Sequence, residues 1–326
     1  NSGFVYNDNE WNVYTGGDGM DYEIDPTNSS LAYGFSQFGG NLFITTDLGQ
    51  TVSRVFPPRG ESGDLRGNWI TPLAIDGNGT VYSAFDAVYV LENNTWVQRS
   101  GLVGSGNIED LEIDQNNPSI MYASNGNGLF RSEDAGETFT LITSVSTAIS
   151  DIAINSNDSN IVYVTTSNRV GVSQSGQPSG RGVFRITIAD NALVSEDDIT
   201  FDLPTDQAYF AIVHQGRNSA NPIYVGTSLG VYRLDDTLTG WEDYSTNLPN
   251  LAYGDLEISL NEELLVASSY GRGVWQTPIP VEVPDTDVAL LSLSPVNGQI
   301  NCGEIIPVLT VENNGISEIS SIDITY

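Results

Sequence analysis

Carboxylate pairs recur along this chain inside short segments of alternating polar and apolar residues. Successive side chains of a β-strand point to opposite faces, so two residues that are two positions apart share a face. Two carboxyl groups held at a fixed separation are what glycoside hydrolysis requires. The pairs therefore predict a ring of carboxylates able to bind a cation or a cationic peptide, or to serve a hydrolase of oligoglucans. The aspartates are Asp21, Asp110, Asp151 and Asp255, and the glutamates that follow are Glu23, Glu112 and Glu257.

The same aspartates have a structural interpretation. An Asp near the start of a strand can accept hydrogen bonds from neighbouring backbone N–H groups, which stabilises the fold and performs no chemistry. The sequence alone leaves both interpretations open.

Other catalytic chemistries find few candidates. Arg131, Arg185 and Arg233 each directly follow a repeated aromatic residue, so we expect them to support the scaffold rather than bind a substrate carboxylate. His214 is the only histidine, and we expect it to be structural. One histidine and the single cysteine, Cys302, cannot build a zinc site or an internal disulfide. The chain has no lysine, which excludes a phosphate-binding Gly-Lys-Ser/Thr loop.

A repeated doublet of an aliphatic and an aromatic residue reveals the elements that must position these groups. Its steps range from 37 residues (Tyr6 to Phe43) to 54 residues (Phe130 to Phe184). A period of this size with only strand signals inside it predicts a β-propeller. The doublets are Val5-Tyr6, Leu42-Phe43, Val88-Tyr89, Leu129-Phe130, Val183-Phe184, Val231-Tyr232 and Val274-Trp275.

Each repeat is interpreted as a four-stranded blade. In residues 108–145 the pattern predicts strands at 108–113, 120–124, 128–132 and 138–142, separated by turn residues. Residues 169–181 form a Gly/Ser/Gln-rich insertion within one repeat. The first and last repeats are incomplete, and five whole repeats plus two partial ones predict about seven blades in an all-β propeller.

The composition shifts after the propeller. We predict the propeller over residues 1–279, a Pro-rich acidic linker over 280–287, and the opening strands of an Ig-like β-sandwich over 288–326. The linker and the sandwich are the parts that the repeat does not explain.

The charge is strongly acidic, with 42 Asp and Glu residues against 11 basic residues and a net charge of −31. Such a field repels nucleic acid and anionic membranes, so neither is an expected partner. No segment reaches the length of an apolar membrane span. No cofactor is expected, although acidic turns such as residues 18–21 or 197–198 leave Ca²⁺ possible.

Two copies of a polar turn motif occur in the same phase of the repeat. The Asp side chain can accept backbone N–H bonds, and the Gly can adopt a positive φ. This pattern resembles the Asp-box of sialidase-type (BNR) propellers, in which the box is a folding element far from the active site. The residues are Thr45, Asp47, Gly49 and Thr51 in the first copy, and Ser132, Asp134, Gly136 and Thr138 in the second.

Further motifs sharpen this resemblance. The residues around Asp18, Asp25, Tyr33 and Phe43 look like the sortilin-type and xyloglucanase-type branch of Asp-box propellers. Residues 269–275 look like a closing blade of large secreted Bacteroidota proteins, and residues 308–315 are similar to a CARDB-type adhesion module. The resemblance implies an extracellular, surface-located bacterial protein of several domains, exported by the type nine secretion system.

The resemblance leaves three functions open. The first expectation is a non-catalytic adhesion or display module that binds a glycan or a protein at the cell exterior. The alternatives are a glycoside hydrolase acting on β-glucan-like polysaccharide and a structural subunit of an extracellular appendage. If a carboxylate is catalytic, the resemblance points to Asp18, Asp21 and Asp47, which lie in the repeat most like the hydrolases.

Overall fold

Within the described part of the chain, the fold consists of antiparallel strands and one short 3-10 turn over Gln37–Gly39. The computed structural model describes residues 3–7, 10–13, 15–61, 63–167, 181–282, 288–294, 308–313 and 317–322. In these ranges no helix is long and apolar enough to cross a membrane. The first sheet is a hairpin of β1 (Phe4–Asn7) and β2 (Glu10–Val13).

Two blades and a small hairpin follow the first hairpin. Blade 1 comprises β3 (Gly19–Ile24), β4 (Ala32–Ser36), β5 (Leu42–Thr45) and β6 (Ser53–Val55). The small hairpin comprises β7 (Arg59–Gly60) and β8 (Gly63–Asp64). Blade 2 comprises β9 (Leu73–Ile75), β10 (Val81–Ala84), β11 (Val88–Glu92) and β12 (Thr95–Gln98).

Four more blades complete the propeller of this chain. Blade 3 comprises β13 (Asp110–Ile113), β14 (Met121–Asn125), β15 (Gly128–Ser132) and β16 (Thr140–Ser144). Blade 4 comprises β17 (Ile149–Ile154), β18 (Ile161–Thr166), β19 (Gly182–Ala189) and β20 (Ala192–Asp198). Blade 5 comprises β21 (Tyr209–His214), β22 (Ile223–Thr227), β23 (Val231–Leu234) and β24 (Glu242–Asp243). Blade 6 has three strands, β25 (Tyr253–Ser259), β26 (Leu264–Ser269) and β27 (Gly273–Pro278).

The propeller therefore has six blades, and the expectation of seven is wrong. The doublet lies on the third strand of all six blades. In the five four-stranded blades this strand lies between two neighbours and its aliphatic residue is buried, whereas in blade 6 it is the exposed edge strand. The remaining doublet, Val5-Tyr6, lies on β1, which pairs only with β2 among the described strands. A doublet therefore does not by itself indicate a whole blade.

The core lies between adjacent blades. Between blades 1 and 2, for example, the fully buried Phe35 packs edge-to-face on Phe85 and stacks on Trp96, with ring centroids 6.4 and 5.9 Å apart. Each such aromatic side chain contributes roughly 2–3 kcal/mol through burial of apolar surface. Blade-to-blade packing places the first strand of each blade around a central channel.

The two polar turns join the third and fourth strands of blades 1 and 3. In the second of them, Asp134 accepts hydrogen bonds from the Thr138 N–H (2.9 Å), the Thr138 hydroxyl (2.6 Å) and the Ser132 hydroxyl (2.8 Å). Gly136 has φ +81°, as the turn requires. Thr45, Asp47, Gly49 and Thr51 form the same set of bonds in blade 1.

Removal of the Asp134 carboxylate should destabilise blade 3. Asp134→Ala leaves the Thr138 N–H and two hydroxyl groups without their acceptor, so we expect a loss of about 1 kcal/mol in the free energy of unfolding. Urea denaturation followed by circular dichroism measures this loss. Asp134→Asn keeps one acceptor oxygen and should lose less; an equal loss in both variants would contradict the hydrogen-bond explanation.

The segment after blade 6 is partly docked on the propeller. The Pro280 carbonyl accepts hydrogen bonds from the Gln215 and Asn218 side chains, and Glu282 accepts one from the Ser219 N–H at 2.9 Å. Beyond it, β28 (Val288–Ser294) and β29 (Val308–Asn313) form a two-stranded sheet. The described residues of this region form no Ig-like sandwich, in contrast to the expectation. Cys302 and most of the 169–181 insertion lie outside the described residues.

Candidate functional site

The site residues divide between two faces of the propeller. We call the entrance face the one that carries the loops from the second to the third strand of a blade and from one blade to the next. Asp18 and Asp21 lie on this face, in the turn before β3 and at the start of β3. Asp47 lies in the turn between β5 and β6, and therefore on the opposite face. The structure thus brings together Asp18 and Asp21 and separates Asp47 from them.

The turn before β3 rests on the next loop of its own blade. The Asp18 N–H donates a hydrogen bond to Oε1 of Gln37 at 3.1 Å. Gly17 has φ +86°, and a Cβ at this position would lie 2.9 Å from the same Gln37 oxygen. The chain therefore needs glycine here to bring Asp18 beside the loop that begins at Gln37.

An aromatic platform lies next to Asp18 on the entrance face. It consists of Phe38 and Trp69, whose ring centroids are 4.9 Å apart and edge-to-face, and of Arg66, whose guanidinium carbon lies 3.6 Å from the centroid of Phe38. Trp69 is 52% exposed. Phe38 has φ +62°, a conformation rarely adopted by a bulky residue.

Backbone bonds hold this unusual conformation. The Phe38 N–H donates to the Trp69 carbonyl at 3.1 Å, and the Gly67 N–H donates to the Phe38 carbonyl at 3.0 Å. Backbone strain maintained in this way is a feature of ligand-binding sites. The platform was not predicted, because Phe38 lies in a loop of blade 1 whereas Arg66 and Trp69 lie in the connection to blade 2. A tryptophan among turn residues, Trp69, was the one signal in the sequence that could have indicated it.

The aspartates of the first strands connect neighbouring blades. Oδ2 of Asp21 accepts a hydrogen bond from the Leu73 N–H of blade 2 at 2.9 Å, and Oδ2 of Asp151 accepts one from the Ile212 N–H of blade 5 at 2.6 Å. Oδ1 of Asp110 accepts a bond from the adjacent Leu111 N–H. These bonds match the structural interpretation of the recurring aspartates. Near these positions the pairing register between the first and second strands also shifts, as in a β-bulge. The first strands concerned are β3, β17, β21 and β25.

Carboxyl groups also line the central channel, and whether they bind a ligand stays a prediction. The channel encloses a cavity of about 500 Å³. Among the described residues, no group of three or more His, Cys, Asp or Glu side chains is arranged to hold a metal ion. Asp21 and Asp110 are not among the residues that line the cavity. The carboxyl groups that line it come from Glu23, Glu112, Asp114, Asp151, Asp255 and Glu257.

Burial and mutual repulsion raise the pKa of several carboxyl groups in and next to the channel. Burial, followed by repulsion from Asp255 and Asp110, raises the pKa of Asp21 to about 7, although the Leu73 N–H opposes the shift. Glu257 lines the cavity, but protein surrounds most of its side chain. This burial, together with repulsion from Asp255 and Asp21, raises the pKa of Glu257 to about 8. Burial raises the pKa of Glu23, Glu112 and Asp255 as well. Near neutral pH the channel therefore contains carboxylic acids as well as carboxylates.

The remaining candidates are structural. His214 is buried and stacks on Tyr163 at 5.8 Å, and its Nδ1 accepts a hydrogen bond from the Ser156 N–H at 3.0 Å. Burial lowers its pKa to about 4. Arg131, Arg185 and Arg233 form ion pairs with Glu133, Asp236 and Asp235, respectively, within or next to their own blades. They do not converge on one site.

Comparison with known proteins identifies solved structures that have a similar fold. The sequence matches no family model and no curated protein. Its structure is similar to the GH74 xyloglucanase from Xanthomonas campestris, with a TM-score of 0.63 and 15% identity over 87% of this chain and 51% of that chain. The chain shares its propeller fold with glycoside hydrolases.

Two further structures support this similarity. The GH74 enzyme from Niastella koreensis gives a TM-score of 0.60 and 17% identity over 86% of this chain and 51% of that chain. An ancestral GH74 enzyme gives a TM-score of 0.59 and 14% identity over 94% of this chain and 45% of that chain. The chain thus spans about half the length of these proteins. The finding favours the hydrolase alternative and corrects the expectation of a non-catalytic adhesion module.

Proposed function

We propose that this chain is a propeller of a glycoside hydrolase that acts on β-glucan-like polysaccharides of the xyloglucan type. The observation that carries the proposal is the aromatic platform beside Asp18, in the turn that leads into the strand of Asp21, on one face of a fold shared with GH74 enzymes. Because the chain spans about half of those enzymes, the proposal concerns the share of the site that this chain carries.

In this proposal the platform orients the sugar and the carboxyl groups perform the chemistry. The rings of Trp69 and Phe38 present apolar faces on which pyranose rings can pack. The Asp21 carboxyl, whose pKa is about 7, donates its proton to the glycosidic oxygen as the bond from that oxygen to the anomeric carbon breaks. Asp18 accepts a proton from the water that attacks the anomeric carbon.

The charge of the chain restricts the substrate. A net charge of −31 repels anionic polysaccharides such as those rich in uronic acids, whereas a neutral glucan is unaffected. High net charge is also tolerated in a salty medium outside the cell, where ions screen it. We therefore infer a neutral polysaccharide substrate and a location outside the cell.

Polysaccharide digestion tests the proposal. The chain is incubated with xyloglucan, mixed-linkage β-glucan or polygalacturonate, and new reducing ends are measured. Binding of each polysaccharide is measured separately by isothermal titration calorimetry. We expect reducing ends from xyloglucan or β-glucan and none from polygalacturonate. Binding without any cleavage would overturn the catalytic roles, and absence of both would overturn the proposal.

The platform makes a separate prediction about affinity. Trp69→Ala removes the most exposed ring of the platform, and we expect KM for xyloglucan oligosaccharides to rise about 3- to 10-fold with little change in kcat. Trp11→Ala, which removes an exposed side chain of the same type from β2 and not from an entrance-face loop, is the matched control. Equal effects of the two substitutions would contradict a specific role for Trp69.

A further inference from the structure

Arg66 is the one charged member of the aromatic platform, and the proposed reaction gives it no role. Its guanidinium carbon is 3.6 Å from the centroid of the Phe38 ring, a distance at which the guanidinium lies over the face of the ring. The arginine is exposed, and among the described residues its guanidinium forms no ion pair or hydrogen bond. Asp64, two residues earlier, pairs with Arg59 instead at 2.8 Å. The N–H groups of Arg66 are therefore available to a ligand.

Hydrogen bonds hold the backbone around Arg66 from two sides. The neighbouring Gly67 N–H donates to the Phe38 carbonyl in blade 1 at 3.0 Å. The side-chain amide of Asn107, in the connection from blade 2 to blade 3, donates to the Arg66 carbonyl at 3.1 Å. With its side chain stacked on Phe38 as well, Arg66 is ordered before a ligand arrives. A group ordered in advance loses less conformational entropy on binding, which favours affinity.

A stacked guanidinium presents its donors at its edge. The group is planar and carries five N–H donors, so stacking on Phe38 occupies one face and leaves N–H groups in the plane to form hydrogen bonds. Two parallel N–H groups match two neighbouring oxygen atoms. Trp69, which contacts Phe38 edge-to-face, adds a half-exposed ring on which a pyranose can pack. The platform thus combines an apolar surface with a pair of donors.

The linkage of a glucan determines whether it offers two neighbouring oxygen atoms. A glucose residue within a β-1,4-linked chain keeps free hydroxyl groups at carbons 2 and 3, which are adjacent. Within a β-1,3-linked chain the oxygen at carbon 3 belongs to the glycosidic bond, so no two free ring hydroxyls are adjacent. A carboxylate also presents two oxygens, but the net charge of −31 repels polyanions. The donors of Arg66 therefore match a β-1,4-linked glucan.

We propose that Arg66 determines linkage specificity: its guanidinium binds the hydroxyl groups at carbons 2 and 3 of a β-1,4-linked glucose residue that packs on Trp69. This inference rests on the proposed function, because it concerns the substrate of the same platform. A hydrogen bond from a charged donor contributes about 10-fold or more to affinity, and a site that bonds a hydroxyl rejects an analogue without it. Lysine keeps the charge but lacks the planar fork, so Arg66→Lys removes the paired bonds.

Calorimetric titration with two tetrasaccharides of equal length tests the inference. Cellotetraose (β-1,4) and laminaritetraose (β-1,3) are titrated into the parent, Arg66→Lys, Arg66→Gln and Arg54→Lys, and Tm is measured for each protein. All four proteins carry Asp21→Asn so that the sugars stay intact, which chromatography confirms. Arg54→Lys is the matched control, because Arg54 also lies over a phenylalanine ring, 5.0 Å from the centroid of Phe43, but on the fourth strand of blade 1.

We expect the parent to bind cellotetraose at least about 10-fold more tightly than laminaritetraose. This preference should fall to about 3-fold or less in both Arg66 variants at unchanged Tm, and should persist in Arg54→Lys. Equal binding of the two sugars by the parent, or a preference that survives in the Arg66 variants, would overturn the inference and leave the proposed function standing. An equal loss in Arg54→Lys would also overturn it.

Two further outcomes separate this inference from its alternatives. Absence of binding of either sugar to the parent would overturn both the inference and the proposed function. A third titration uses an oligosaccharide of the same length that contains glucuronic acid. If the parent bound it more tightly than cellotetraose, and Arg66→Lys removed that difference, the guanidinium would be assigned to a carboxylate and the inference would be wrong.

Discussion

Asp21→Asn should lower the rate of xyloglucan cleavage by about 100- to 10,000-fold, the usual contribution of a general acid. The substitution preserves the shape of the side chain, and the amide oxygen can still accept the hydrogen bond from the Leu73 N–H. It removes the proton that the leaving glycosidic oxygen needs. Reducing-end release, measured together with Tm, therefore separates the chemical role of Asp21 from its role in joining blades 1 and 2.

The pH profile gives a second measure of the same role. A general acid must be protonated, so kcat/KM should fall as pH rises through about 7, the pKa of Asp21, and this basic limb should disappear in the residual activity of Asp21→Asn. Asp47→Asn is the matched control, since Asp47 lies on the opposite face within a hydrogen-bonded turn. Full activity in Asp21→Asn, or an equal loss in Asp47→Asn, would contradict the assignment.

The repeat made most of the fold predictable from the sequence. In blade 3 the predicted strands 108–113, 120–124, 128–132 and 138–142 correspond to β13, β14, β15 and β16 within two residues at each end. β13 shows the alternation that the sequence pattern reports directly, whereas β14 and β15 are apolar runs that are buried almost throughout. The blade number was not predictable, because the doublet marks a single strand. It carries no information on whether the other strands of that blade are present.

The site was predictable only where it follows the repeat. Asp21 and Asp255 were identified because they occupy matching positions; Asp255 lines the cavity of the channel and Asp21 does not, and their binding of a ligand stays a prediction. Their raised pKa values could not be predicted, because they depend on burial and on charges that come from different blades. Phe38 was missed for a similar reason: its positive φ is stabilised by backbone bonds to Trp69 and Gly67, which lie in the connection to the next blade.

The buried carboxyl groups of the channel should make the propeller less stable as pH rises. A carboxyl group whose pKa is raised by folding holds a proton that the unfolded chain releases, so its contribution to stability is fully present below the unfolded pKa of about 4 and is lost as pH rises through the folded pKa. For Asp21 and Glu257 the folded pKa values are about 7 and about 8. The free energy of unfolding should therefore fall between pH 5 and pH 8. We expect Tm to decrease by about 5 °C or more over this interval, as measured by calorimetry.

The double substitution Glu112→Gln with Glu257→Gln tests whether the channel is the source of this effect. Neutral amides of the same shape remove the repulsion and the cost of burying charge, so the variant should be more stable than the parent at pH 8 and should differ little from it at pH 5. General repulsion among the surface acids acts in the same direction. The matched control is therefore Glu92→Gln with Glu262→Gln, which removes the same charge from exposed positions. If the control flattened the pH dependence as much as the channel variant, the net charge of −31 and not the channel would be its cause. Asp47 and Asp134 do not contribute in this interval, because hydrogen bonds from Thr51 and Thr138 lower their pKa values and both remain ionised above pH 5.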